Sequence, residues 1–432
     1  MARLQSRQIS QLHLYQVLHA VRLSADPLSQ AQIGDVTGLS QAAVSSLMRR
    51  LLEGGALIEV GARPSLAGGR REREFAVNPS HAWVVGVKVA LHQITIALSD
   101  FAGGVHSTAK LPINAPLTAA ALVRLLTREI NKFLKTEADS VRQGLAGVGV
   151  AMPGFIDSMH GEVLWSPVLK PVAKSNGAAA EPLSASLTEA LSVPVFIEND
   201  ANMLALAEQW FGQAARTANV AVITLEHGLG LGLVINGELY RGHLGMAAEL
   251  AHLQIEVDGR DCPCGKQGCL ETYVSHQAVV RQGVQAGLIK GSDAVKFGEV
   301  LTALKALANL ARSGNAKARK IFEDQGRLLG QWTGNMVNLL APQLVLLDGD
   351  GTIAADLYEP ALRKAMTQAL TLPHRNRVQL VVRHQGDEVW ARGAASLVLQ
   401  RLDESAAVVQ AVSRHGVDLN TDGLSIGRPS SA

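Results

Sequence analysis

"VPVFIENDANMLALAEQWFG" (residues 193–212) decides how the chain reads. An apolar, β-rich run ends in Glu198, Asn199 and Asp200, and a helix-forming run follows at once. A strand that carries polar residues to its end and turns into a helix places them at the mouth of an α/β sheet. Similar units lie on both sides. "GVGVAMPGFID" (147–157) runs from strand into a glycine turn, and "QLVLLDGDGTIAADLYEPALRKAM" (343–366) is strand, glycine turn, helix. "WVVGVKVALHQITIALSDFAGGVHSTAKLPI" (83–113) holds three β-rich runs, and a helix is expected from about Leu117 to Leu134. "VAVITLEHGLGLGLVINGELYRG" (220–242) reads as two strands around a glycine turn. Residues 81–402 therefore predict an α/β sheet protein with a cleft at its strand ends.

Upstream the pattern changes. Leu12, Tyr15, Val17, Leu18, Val21 and Leu23 form an apolar stripe at roughly helical spacing. In "LSQAQIGDVTGLSQAAVSSLMRRLLEGGALIEV" (28–60), Ser29 caps a short helix carrying Ile33 and Val36, and Gly38 permits a tight turn. Ser40 caps the next helix, with Val44, Leu47, Leu51 and Leu52 facing inward. Strands at 57–60 and 74–77 around a loop with Pro64, Gly68 and Gly69 complete a winged helix-turn-helix over residues 1–80. Gln41, Ala42, Ser45, Ser46 and Arg49 form the outward face of the third helix, short or polar as a major-groove helix requires. Arg70 and Arg71 sit at the wing tip, suited to phosphate or a minor groove. The competing reading is a small protein-interaction domain with a basic loop.

The bulk properties agree. At 432 residues the chain is too long for one ordinary core, and 47% hydrophobic with 18% charged is globular. Net charge is +2, so no global bias toward nucleic acid exists, but residues 1–78 hold nine Arg, no Lys and six acids. No long apolar run follows Arg3 and Arg7, which argues against a signal peptide. The most apolar stretch, 336–347, is interrupted by Asn338, Pro342 and Gln343, so no membrane partner is expected. The end of the chain, 403–432, reads as a poorly ordered tail.

All three cysteines fall within eight residues, which suggests a metal site and a reducing, cytoplasmic setting. In "HLQIEVDGRDCPCGKQGCLE" (252–271), His252, Cys262, Cys264 and Cys269 suit a tetrahedral, structural Zn2+. Free thiols are the alternative that local chemistry leaves open.

Four segments together carry a resemblance: "ENDANMLALAEQWFG", "RGHLGMAAELAHLQI", "CPCGKQGCLE" and the glycine turn at 223–232. Over roughly residues 8–400 the chain resembles the ROK family of sugar kinases and sugar-responsive repressors. It is most similar to the repressor branch, which carries an N-terminal winged helix-turn-helix. The spacing from His252, to cysteines after ten, two and five residues, matches the family's zinc signature. The resemblance implies a two-lobed, ribonuclease H-like fold of the actin and hexokinase type. It implies sugar contacts from Asn199, Asp200, Glu249, His252 and Glu271, with His252 both metal ligand and sugar neighbour. For Asp200 alone, a helix N-cap is the plainer role.

Departures from the family pattern bear on activity. Where its G-E-x-G-H element has glycine, Ala248 and Ala251 stand here, and Val168 replaces a polar residue in Pro167-Val168-Leu169. The kinases' Asp-x-Gly-Gly-Thr element is matched by Val87-Lys88-Val89-Ala90-Leu91, and their second phosphate loop by Thr224-Leu225-Glu226-His227-Gly228. A carboxylate facing a phosphate 4 Å away costs on the order of 4 kcal/mol at an effective dielectric of 20. The expectation is a sugar-responsive repressor and no enzyme, acting on double-stranded operator DNA as a homodimer or dimer of dimers. A sugar or sugar phosphate would bind the cleft and modulate operator affinity. The alternatives are an ATP-dependent sugar kinase with an added DNA-binding domain, and a scaffold answering to a phosphotransferase-system protein.

Overall fold

The computed structural model describes residues 6–64, 71–170, 182–215, 217–290 and 297–404. Three helices, α1 (Ser6–Arg22), α2 (Gln30–Thr37) and α3 (Gln41–Glu53), and three strands, β1 (Leu28–Ser29), β2 (Leu57–Arg63) and β3 (Glu72–Val77), build the winged helix-turn-helix. The sheet order is β1-β3-β2, antiparallel throughout. Ser29 closes a capping box with Gln32 at the start of α2, Gly38 ends α2 at φ 69°, and Ser40 caps α3. Val44, Leu47, Met48 and Leu51 bury the inner face of α3, while Leu52 is half-buried. Val36, expected on the α2 core face with Ile33, points outward at 66% exposure. The wing strands run longer than expected. Cross-strand pairs Arg63–Glu72, Arg63–Glu74 and Arg73–Glu59 extend the hairpin beyond its apolar part.

Two five-stranded sheets follow, one per lobe. The first is ordered Val195–Asn199, Leu145–Met152, Trp83–Val89, Gln93–Asp100, Val105–Pro112. The second is ordered Glu238–Leu239, Leu229–Ile235, Val220–Leu225, Leu344–Asp348, Gln379–Val382. Each is a three-stranded antiparallel meander whose first strand pairs in parallel with the fourth, and the fourth with the fifth. The lobes therefore repeat one topology, the ribonuclease H-like pattern the resemblance implied.

Helices Asp200–Phe211 and Glu388–Glu404 fill the layer between the sheets. Both lie so close that side chains would not fit beneath them. A Cβ at Gly86 would stand 1.8 Å from the Ala391 carbonyl, one at Gly149 1.8 Å from that of Ala394, and one at Gly393 1.9 Å from that of Met203. A single apolar cluster runs from Leu14, Val17, Leu18 and Val21 of α1 through Trp210 to Ala394, Leu397 and Leu402. The winged helix thus shares a core with the lobes. Arg22 seals that contact. Its guanidinium pairs with Asp403 at 2.8 Å, with both side chains fully buried, donates to the Phe101 carbonyl and lies over the Phe101 ring. The last helix accordingly continues through Asp403 and Glu404, past the expected limit at 402. Residues 405–432, where the disordered tail was expected, lie outside the described residues.

Candidate functional site

On the winged helix, Gln41, Ala42, Ser45, Ser46 and Arg49 are all exposed and share one face of α3. On the wing, Arg71 is exposed and donates to the Ala62 carbonyl at 2.5 Å. Arg70 lies outside the described residues. The wing's other arginines, Arg63 and Arg73, are engaged by Glu59, Glu72 and Glu74.

Between the lobes opens a cleft of about 450 Å³. Asn199, Asp200, Glu249, His252 and Glu271, drawn from three separate stretches of sequence, all line it. Strand Val195–Asn199 delivers the first two. Asn199, and not Asp200, is the N-cap of the following helix. Its side-chain oxygen accepts from the Ala201 and Asn202 amides at 2.9 and 3.4 Å, and its Nδ2 donates to the Gly154 carbonyl at 3.1 Å. Its amide is therefore largely spent on the framework, and Asp200 is left facing the cleft. Burial raises the Asp200 carboxyl above its ordinary value against the pull of Lys88. Beneath them, fully buried Glu198 accepts from Arg241 at 2.7 Å and from Asn202 at 3.1 Å. The sequence reading missed this brace, because its partners stand 43 residues apart.

Glu249 and Glu271 reach the cleft from the metal-loop side. Burial, then the Glu271 and Asp200 carboxylates, push Glu249 up to about 7. Burial likewise pushes Glu271 up to about 7, while it accepts the Leu229 amide at 3.3 Å. Ala248 sits at φ 67°, a region that favours glycine, whereas Ala251 is simply buried. Val168 turns into the first-lobe core at 0% exposure, and its neighbours Pro167 and Leu169 line the cleft instead.

The hairpin turn at Glu226–Gly228 projects into the same cleft. Lys88, from the first strand of the first lobe, crosses to Glu226 at 2.7 Å and to Asp387 at 2.8 Å, with its ammonium 3.9 Å from the Trp390 ring centre. Burial works against this lysine, yet the two carboxylates hold it above its ordinary value. Burial pushes Glu226 up to about 7 in spite of Lys88. Both stretches matched to phosphate elements are therefore joined to each other. The glycines behind the turn have another purpose than the turn itself. A Cβ at Gly232 would lie 2.4 Å from the Ala201 carbonyl, and one at Gly230 2.9 Å from the Ala201 Cβ, so both admit the helix that begins at Asp200.

His252, Cys262, Cys264 and Cys269 bring their ligand atoms within 4.8 Å of one another. His252 Nδ1 stands 3.6 Å from Cys262 Sγ, and Cys264 Sγ 3.7 Å from Cys269 Sγ. Those are edge lengths of a tetrahedron whose centre lies about 2.3 Å from each sulfur, the zinc–thiolate distance. The four residues can hold a metal ion, and the donor set fits. The other ring nitrogen of His252 stands 3.9 Å from the Glu249 carboxylate.

The ROK family model matches residues 84–401. A xylose repressor from Caldicellulosiruptor bescii is 28% identical over 381 residues, covering 86% of this chain and 92% of its own. The DNA-binding transcriptional dual regulator NagC of Escherichia coli is 29% identical over 373 residues, covering 86% and 88%. Among solved structures, a ROK family transcriptional regulator homologous to the E. coli MLC protein superposes with TM-score 0.76 over 94% of this chain and 99% of its own, at 24% identity. A ROK family glucokinase from Streptomyces griseus, solved with glucose and AMPPNP, superposes with TM-score 0.61 over 73% and 99%, at 28% identity. Matched from the first strand of the first lobe to the last helix, the chain belongs to the ROK family.

Proposed function

We propose that this chain is a sugar-responsive DNA-binding transcription regulator, a repressor of carbohydrate-utilisation genes. The observation that carries the reading is the path from cleft to winged helix. Helix Asp200–Phe211 begins in the cleft, and its Trp210 meets His19 of α1 edge-on at 5.4 Å. The helix at Glu388–Glu404 follows Asp387 in the cleft and ends with Asp403 on Arg22. A sugar that draws the lobes together acts on both helices, and both report to α1. That supplies the differential state preference allostery requires. The α3 stripe of Gln41, Ala42, Ser45, Ser46 and Arg49 would meet base edges of double-stranded DNA, with Arg71 and Arg70 at the backbone or minor groove. A homodimer or dimer of dimers would present two such stripes to a palindromic operator.

Asp200, Glu249, Glu271 and His252 would bind sugar hydroxyls, with Asn199 holding the strand end in place. The cysteine–histidine loop would hold a structural Zn2+, because four protein donors leave no open position. The metal would fix His252, whose second nitrogen faces Glu249. The reading includes no phosphoryl transfer: two carboxylates, Glu226 and Asp387, engage the one cation, Lys88, where a triphosphate needs free cations.

Operator binding measured by fluorescence anisotropy, with and without a panel of sugars, tests this. DNA affinity should fall steeply with salt and change with at least one sugar. Absence of operator affinity at every salt concentration sinks the proposal. ATP turnover on a hexose that disappears in Asp200→Asn would replace it with a sugar kinase.

A further inference from the structure

The charge lining the cleft is one-sided. Asp200, Glu226, Glu249, Glu271, Asp350 and Asp387 all face it, and Lys88 is the one lysine or arginine among the described lining residues. Its ammonium is spoken for by Glu226 and Asp387, and its side chain is 1% exposed.

A phosphate group is held by free cations, by a helix N-terminus, or by amides of a glycine turn. Each device is present here, and its cation and several of its amides are engaged internally. Lys88 is paired. The helix opening at Asp200 has its Ala201 amide taken by the Asn199 and Asp200 side chains, and its Asn202 amide by Asn199. In the hairpin, the Glu226 amide donates to the Gly228 carbonyl at 2.9 Å and the Leu229 amide to Glu271 at 3.3 Å. Carboxylates are acceptors, and what satisfies them is a ligand rich in hydroxyl donors without negative charge.

We infer that the cleft takes an uncharged, hydroxyl-rich monosaccharide and rejects its phosphate ester, with Glu226 setting the rejection. The inference rests on the sugar reading of the cleft and narrows it from sugar or sugar phosphate to the neutral sugar. Glu226 acts in two ways: it presents a carboxylate to the ligand, and it occupies the cation a phosphate would need. The discrimination is strong because a site whose charged groups lose their partners on binding the wrong ligand penalises that ligand twice.

The test is calorimetric titration of the full chain, at pH 7.5 and moderate salt, with matched pairs: glucose and glucose 6-phosphate, N-acetylglucosamine and its 6-phosphate, xylose and xylose 5-phosphate. The expected result is one neutral sugar that binds and a phosphate ester at least about thirtyfold weaker, roughly 2 kcal/mol. In Glu226→Gln the ratio between the two should shrink below about tenfold, whatever happens to both affinities together. The wild-type pair is decisive even if that variant folds poorly. A phosphate ester that binds as tightly as its parent, by displacing Glu226 from Lys88, overturns the inference and leaves the sugar reading standing. Failure of every member of every pair to bind overturns the sugar reading itself.

Discussion

Lys88 and Glu226 show how much one pair of side chains decides. Each alone reads as the loss of a phosphate-binding residue, and together they form a contact across the lobes. Glu226 carries a pH signature. Burial pushes its carboxyl from an ordinary 4.5 up to about 7, so the folded chain retains a proton that the unfolded chain gives up. The stability from that proton is complete below the unfolded value near 4.5 and is lost as pH rises through about 7. In Glu226→Gln the unfolding midpoint should therefore fall less between pH 5 and 7.5 than in the wild type, as read by circular dichroism. Identical slopes would show that Glu226 does not titrate there. Ala248 offers an opposite case at the same scale. At φ 67° its Cβ is strained by ~1–2 kcal/mol, and glycine's greater freedom when unfolded costs ~0.4–1 kcal/mol. Ala248→Gly should thus stabilise by about 0.5–1 kcal/mol in denaturant unfolding.

At the scale of elements, the alternating glycines of the hairpin belong to the helix that lies over them. Gly232→Ala would drive a Cβ against the Ala201 carbonyl, one residue from Asp200. We expect a loss of about 1–3 kcal/mol in stability. Sugar affinity should weaken with no matching loss in operator affinity, measured by titration of each ligand. An unshifted sugar affinity would detach the helix position from the site. The metal loop is also a unit. Cys264→Ser removes one of three soft donors from a four-donor set. Metal content by plasma mass spectrometry should drop, and the sugar response of operator binding with it. Full occupancy in that variant would remove Cys264 from the ligand set.

Across the whole molecule, Arg22 joins the winged helix to the lobes. Arg22→Met leaves Asp403 buried without a partner, which costs about 3–5 kcal/mol. Adding Asp403→Leu should restore most of that stability, because two apolar side chains replace a desolvated pair. A single variant as stable as the wild type would mean the guanidinium holds nothing. The winged helix was legible in advance because its information is local. Caps at Ser29 and Ser40, a glycine at 38 and a helical period act within two turns. The α3 stripe was legible for the same reason: Val44, Leu47 and Leu51 choose the inner face, and Gln41, Ser45 and Arg49 take what remains. Val36 was misplaced because an eight-residue helix leaves the period too little length to choose a face.

Legible in the sequence alone were the four residues that cluster as a candidate metal site, the caps of the winged helix and the two faces of α3, and the absence of both phosphate elements. Each is written in residues a few positions apart, where spacing alone brings side chains together. That Lys88 meets Glu226, 138 residues away, that Arg22 meets Asp403, 381 residues away, and that Gly232 is small for the sake of a helix became readable only in the folded chain. Such contacts arise from which faces of the two repeated lobes close on each other. Burial then makes their charges matter, because an unpaired charge in that layer would cost more than the fold can spare.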